Sequence, residues 1–156
     1  MSFAMMLRAM RVSLCVAIGM VASAHLAQAD KGEIIGKTAR VKGVVYQIYQ
    51  QETEKRQVNQ GDPVYLGDRF ETMADSRVKI ELADESRFTI GPDAAMEIDE
   101  FVYNPTSQDG AVVAKMLKGA FGFVSGKVAK KDPDKMAVKL PVATIGIRGT
   151  AAAGKV

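Results

Sequence analysis

Ser76-Arg77-Val78-Lys79-Ile80-Glu81-Leu82-Ala83-Asp84-Glu85-Ser86-Arg87-Phe88-Thr89-Ile90-Gly91-Pro92 decides the fold. From Arg77 to Leu82 apolar and charged residues alternate, so Val78, Ile80 and Leu82 face a core while Arg77, Lys79 and Glu81 face water. Asp84-Glu85 turns the chain back into Arg87-Phe88-Thr89-Ile90, with Phe88 and Ile90 on the inner face. Gly91-Pro92-Asp93 ends that piece, and Met96, Ile98 and Phe101 continue the inner face beyond it.

The same grammar extends in both directions. Upstream, Val41 to Tyr49 gives two β-prone pieces around Gly43, where a turn or bulge is expected. The polar run Gln50 to Gln60 reads as an exposed hairpin loop, and Gly61-Asp62-Pro63 and Gly67-Asp68 as turns. Downstream, Asn104 to Gly110 is a loop without a large apolar residue. Val112 to Leu117 and Phe121 to Val124 read as a strand pair joined at Lys118-Gly119. Lys130 to Lys135 reads as a mixed-charge turn before Met136 to Leu140. Last comes Leu140-Pro141-Val142-Ala143-Thr144-Ile145-Gly146-Ile147-Arg148-Gly149-Thr150, β-branched and broken twice by glycine, where a side chain is unwelcome or φ is positive. Arg148 between those glycines is expected to tie down carbonyls.

Short pieces every ten residues or so predict an all-β domain: two packed sheets or a β-roll of short, bent, mostly antiparallel strands, with a β-solenoid as the alternative. No constant repeat length supports the solenoid. A parallel α/β fold is excluded, because no helical segment fits between the strands.

Met1 to Ala29 reads as a secretory signal, with Arg8 and Arg11 as the basic start, Val12 to Ala24 as the apolar middle and Ala27-Gln28-Ala29 as the cleavage site. Cleavage between Ala29 and Asp30 leaves residues 30–156 as a single domain and no membrane span, since Val12 to Leu26 falls short of the roughly 20 residues a span needs. Without Arg8 and Arg11, the 21 basic residues fall to 19 against 18 acids, a balance that gives no reason to expect a nucleic-acid partner. The one cysteine, Cys15, and the one histidine, His25, leave with the signal. No disulfide can then form, so the core alone holds the fold.

That loss removes the nucleophiles, bases and ligands of thiol enzymes, histidine-dependent hydrolases and zinc sites. Asp84-Glu85 and Asp99-Glu100 are adjacent acids, which point to opposite faces of a strand or stand solvated in a turn, a poor basis for paired-carboxylate catalysis. Ser76-x-x-Lys79 matches a penicillin-recognising pair in spelling only, for on a strand the two side chains oppose each other. Gly149 to Val156 approaches a phosphate-binding loop but has Val156 where a hydroxyl is required. Asp132-Pro133-Asp134 lacks the further oxygens a calcium site needs. Lys127, Lys130, Lys131 and Lys135 read as a solvated basic cluster. Neither a cofactor nor a metal is expected, and the chain reads as a non-enzyme.

Several stretches, taken in order, resemble the FecR domain family. Gly61-Asp62 through Gly67-Asp68-Arg69-Phe70-Glu71-Thr72 is similar to its early strand-turn-strand segment, Ser76 to Pro92 to its middle, and Phe121 to Lys127 to the segment leading to its ending. Pro141, Ala143, Thr144, Ile145, Gly146, Arg148, Gly149 and Thr150 match that ending, the most recognisable part of the family. The resemblance implies a bacterial, periplasmic or secreted domain that binds and signals through a protein partner in the cell envelope. In the best-known members such a domain follows a transmembrane helix and a cytoplasmic segment controlling a sigma factor, and contacts the signalling domain of a TonB-dependent receptor. Here eleven residues precede the apolar stretch, too few for a folded cytoplasmic segment, so sigma-factor control is not carried over. The motif residues stand as structural or partner-binding positions. A surface or polysaccharide-binding module is the alternative function, and it would draw on Tyr46, Tyr49, Tyr65 and Tyr103. Six residues follow Thr150, and the last strand is expected to lack a partner; a truncated product, a complete short form and a domain completed by another chain are all open readings of that end.

Overall fold

The computed structural model describes residues 32–50 and 52–156. The expected signal segment, with Ala29 and Asp30, lies outside the described residues. Among those described, the strands in chain order are β1 (Ile34–Lys42), β2 (Val45–Ile48), β3 (Arg56–Gln57), β4 (Pro63–Tyr65), β5 (Arg69–Thr72), β6 (Arg77–Leu82), β7 (Arg87–Ile90), β8 (Ala95–Tyr103), β9 (Gly110–Lys118), β10 (Ala120–Val124), β11 (Met136–Leu140), β12 (Ala143–Gly146) and β13 (Ala151–Lys155), with a short helix α1 (Lys127–Lys131) between β10 and β11. They form two sheets, one ordered β13-β10-β7-β6-β1-β4 and the other β12-β11-β9-β8-β5-β2-β3. This is the two-sheet form of the expected all-β fold, and the solenoid reading falls. All pairings are antiparallel except β9 with β11.

The β6–β7 hairpin forms as its alternation requires. Val78, Ile80, Leu82, Phe88 and Ile90 are buried, and Ile80 stands opposite Phe88. Phe88 in turn pairs across to Phe123 of β10, ring centroids 5.0 Å apart. Each such buried side chain contributes about 1.5–3 kcal/mol, and with no disulfide available these contacts carry the stability. From the opposite sheet Phe70, Met96, Ile98, Met116 and Met136 close the core. The register of β8 slips between Ile98 and Glu100, and that bulge moves the inner face from the even positions to Phe101, which packs partly buried against the core.

Among the described residues the chain leaves one sheet for the other eight times, and at two of these corners glycine combines a positive φ with a close neighbour. At Gly43 φ is +73°, and a Cβ would press on Ser76, whose hydroxyl accepts the Val44 N–H at 2.9 Å. At Gly119 φ is +87°, with Ala94 Cα 2.7 Å from where a Cβ would stand. The expected pairing of Val112–Leu117 with Phe121–Val124 is corrected here: β9 and β10 lie in different sheets. A glycine between two alternating runs is the same signal for a hairpin and for a corner. The approach to Ala94 turns this one across the core.

The expected turn at Lys130–Lys135 is also more ordered than its composition implies. Helix α1 buries Val128 and Ala129, and a 3-10 turn over Pro133–Lys135 is capped by the Asp132 carboxylate, which accepts the Asp134 N–H at 3.1 Å.

Candidate protein-binding edge

The closing segment, Pro141 to Thr150, runs along one side of both sheets. Pro141-Val142 turns β11 into β12, which pairs only with β11 and has all four of its residues exposed. Val142 is 94% exposed and Ile145 40%. Ile147 then enters the core, its N–H donating to the Met136 carbonyl at 3.2 Å. Beyond it the buried Ser125 clasps the crossing: its hydroxyl donates to the Gly149 carbonyl and its N–H to the Thr150 carbonyl at 2.8 Å. Residues 151–155 continue as β13, antiparallel to β10. The expectation that the last strand lacks a partner is thereby overturned.

Two readings of single residues in this segment also change. Arg148 does not bind carbonyls; its guanidinium donates to the Asp134 carboxylate at 2.8 and 3.2 Å from a largely exposed position. The two glycines separate: Gly149 has φ +152°, which an L side chain resists, whereas Gly146 has open space around a would-be Cβ and no positive φ.

Four strands end the two sheets, and they differ in how they meet solvent. β3 is two residues long and carries Arg56, β4 is three residues long and opens on Pro63, and β13 carries Lys155. Such short, charged or proline-bearing edges resist further pairing. β12 reads Ala-Thr-Ile-Gly, uncharged and partly β-branched, so its free side is the one suited to accept another strand.

Elsewhere the acids and bases suspected from sequence are engaged with each other. On the outer face of the second sheet Lys139 reaches Asp99 at 2.8 Å, Lys115 bridges Asp99 and Glu97, and Glu71 takes Lys55 at 2.6 Å and Arg69 at 2.8 Å. Burial pushes the Asp99 carboxyl up, but hydrogen bonds from Lys115 and Lys139 outweigh it and hold it below the usual range; the Lys55 hydrogen bond does the same for Glu71. Of the basic cluster, Lys127 pairs with Glu85 at 2.8 Å and Lys131 with Asp109 at 2.5 Å. Lys130 and Lys135 are exposed, as a solvated cluster requires. Ser76 is buried while Lys79 is exposed, so the two do not meet. Among the described residues no three His, Cys, Asp or Glu side chains cluster as metal ligands would.

Asp84 departs from expectation. Instead of standing solvated it is fully buried, its carboxylate accepting from the Ser86 N–H at 3.0 Å and hydroxyl at 2.7 Å. The Asp84 carbonyl accepts from Lys127 N–H at 2.6 Å, and Gly126 N–H donates to Ser86 Oγ at 3.2 Å. Asp-x-Ser in the tight turn was the available signal, an Asx-type turn, but its docking under Gly126 forty residues away left no mark in the local sequence.

The sequence matches the FecR protein family over residues 68–156. A solved structure described as a cell surface anchoring domain is 28% identical, the match covering 42% of this chain and 86% of that one at a TM-score of 0.39. No curated protein matches the chain.

Proposed function

The chain belongs to the FecR protein family, and from that premise we propose that it is a non-enzymatic extracytoplasmic binding and sensing domain that contacts a protein of the cell envelope through the free side of β12. A signal over residues 1–29, cleaved after Ala29, delivers residues 30–156 as a single domain to the periplasm or the outside. The observation that carries the reading is the contrast among the edges, with three blunted and β12 uncharged and exposed. An extended segment of the partner pairs along Ala143 to Gly146, Val142 and Ile145 supply apolar contact beside it, and Arg148 stands next to the strand as a charged contact.

A photo-crosslinking residue at Ala143, compared with one at Gln57 on the far edge, tests this in the intact envelope. Discrete adducts are expected from position 143 alone, and Ile145→Lys should abolish them, because a lysine at an edge opposes an incoming strand. Identical adducts from both positions, or adducts that survive Ile145→Lys in a protein with unchanged melting, would sink the proposal.

A further inference from the structure

At the rim of β2, β3 and β4, on the side of the sheets away from β12, lies a cleft of about 380 Å³. Its floor is a fixed chain of planar polar groups. Arg56 Nη2 donates to Gln47 Oε1 at 2.6 Å, and the buried Gln47 amide donates to the Asp68 carboxylate and to the Pro63 carbonyl at 3.1 Å. Asp68, fully buried, also accepts the Tyr65 N–H at 2.7 Å. Its wall is the pair Tyr49 and Tyr65, packed edge to face with centroids 5.7 Å apart. On the rim Lys55 pairs with Glu71 at 2.6 Å and Arg56 stands 3.8 Å from Asp62, with Glu52 and Glu54 as further acids.

We propose that this cleft is a binding site for a neutral saccharide. The size falls at the small end of ligand pockets. Tyrosine rings offer apolar surface to the C–H face of a sugar ring, while the half-exposed Arg56 guanidinium and the rim carboxylates of Glu52 and Glu54 offer donors and acceptors to its hydroxyls. Because the buried Gln47 and Asp68 beneath it already hold the Arg56 guanidinium in place, that side chain has little ordering left to undergo on binding. Charge selects against the other classes. An anion meets Glu52 and Glu54, a cation meets the Arg56 guanidinium, and an apolar ligand would strip water from these rim groups without replacing its hydrogen bonds. The Arg56 side chain lines the cleft and is about half exposed, so its guanidinium remains reachable from solvent.

The site is separate from the β12 edge and stands or falls independently of it. The full chain is probed on an array of neutral oligosaccharides, with saturation-transfer NMR on any that bind. Transfer from tyrosine ring protons to the sugar is expected, with affinity reduced at least tenfold by Tyr65→Ala and by Arg56→Ala and unchanged by Ile145→Lys. Arg56 is a surface residue, so its variant keeps the test valid should Tyr65→Ala melt early. An array without any bound neutral oligosaccharide overturns the proposal, as does binding that both substitutions leave intact.

Discussion

Gly126→Ala should be strongly destabilising although it adds a single methyl group outside the central core. A Cβ at this position would stand 2.6 Å from Asp84 Oδ2, and closer still to the Asp84 carbonyl and the Ser86 nitrogen. Two of these three atoms are backbone, held in the β6–β7 turn, so no flexible side-chain end can yield. The backbone at Gly126 has φ −87°, ordinary for any residue, so the penalty is steric rather than conformational. Overpacking of this kind costs about 1–3 kcal/mol. Moving α1 away would also strain the bonds from Lys127 N–H to Asp84 and from Gly126 N–H to Ser86, each worth about 1 kcal/mol. The sum is about 3–5 kcal/mol, equivalent to a fall of roughly 10–20 °C in Tm for a domain of this size. Urea unfolding followed by circular dichroism measures it, with an unchanged m-value expected. A loss below about 0.5 kcal/mol would refute the account of how α1 docks on the turn.

Other outcomes follow from the same geometry. Gly149→Ala should cost about 1–3 kcal/mol because of its positive φ, whereas Gly146→Ala should stay within about 0.5 kcal/mol, and thermal melts of the two variants distinguish them. Ser125→Ala should cost about 1 kcal/mol and speed amide hydrogen exchange across Ala151–Lys155, since one of the two hydrogen bonds that hold the crossing is removed. Asp99 has its carboxyl held below the ordinary 3.8, so its pairing with Lys115 and Lys139 contributes stability above that pH and loses it as pH falls through the folded value. Urea midpoints for the wild type and Asp99→Asn should therefore differ most above the ordinary 3.8 and draw together as the pH is taken further below it. Arg148→Ala should leave stability within about 1 kcal/mol, its pair with Asp134 being exposed, so any larger effect on crosslinking at Ala143 would report a partner contact.

Where the determinants are local, the sequence was legible. Alternation over Arg77–Leu82 and Arg87–Ile90 announced a hairpin and its inner face, and Gly43 announced a turn or bulge, which the structure makes a corner between the sheets. The pairing partners of β9 and β10 were not legible, because alternation specifies which face is buried but not which sheet supplies the neighbours; that is settled by Ala94 lying under Gly119. Asp84 was misread for the same reason. Its solvation depends on Gly126 and Lys127, which meet it only after β10 has crossed the core. In the closing motif, the β-branched run and glycines marked an unusual strand, yet nothing local distinguished Gly146 from Gly149 or told that Arg148 would meet Asp134. The floor of the saccharide cleft was scattered over Gln47, Arg56 and Asp68, three residues that no spacing rule connects.

The link from Ile147 to Thr150 sets how the molecule answers a mechanical load. A pull directed along β12 by a bound strand tries to slide it past β11, so all four of its register pairs resist together, and the chain beyond β12 carries tension into the other sheet through a tether plugged by Ile147 and clasped by Ser125. A pull at Val156 meets a weaker geometry, peeling β13 from β10 one pair after another. The two ends of one short segment thus differ in toughness, and a partner seated on β12 grips the domain by its shear-resistant side.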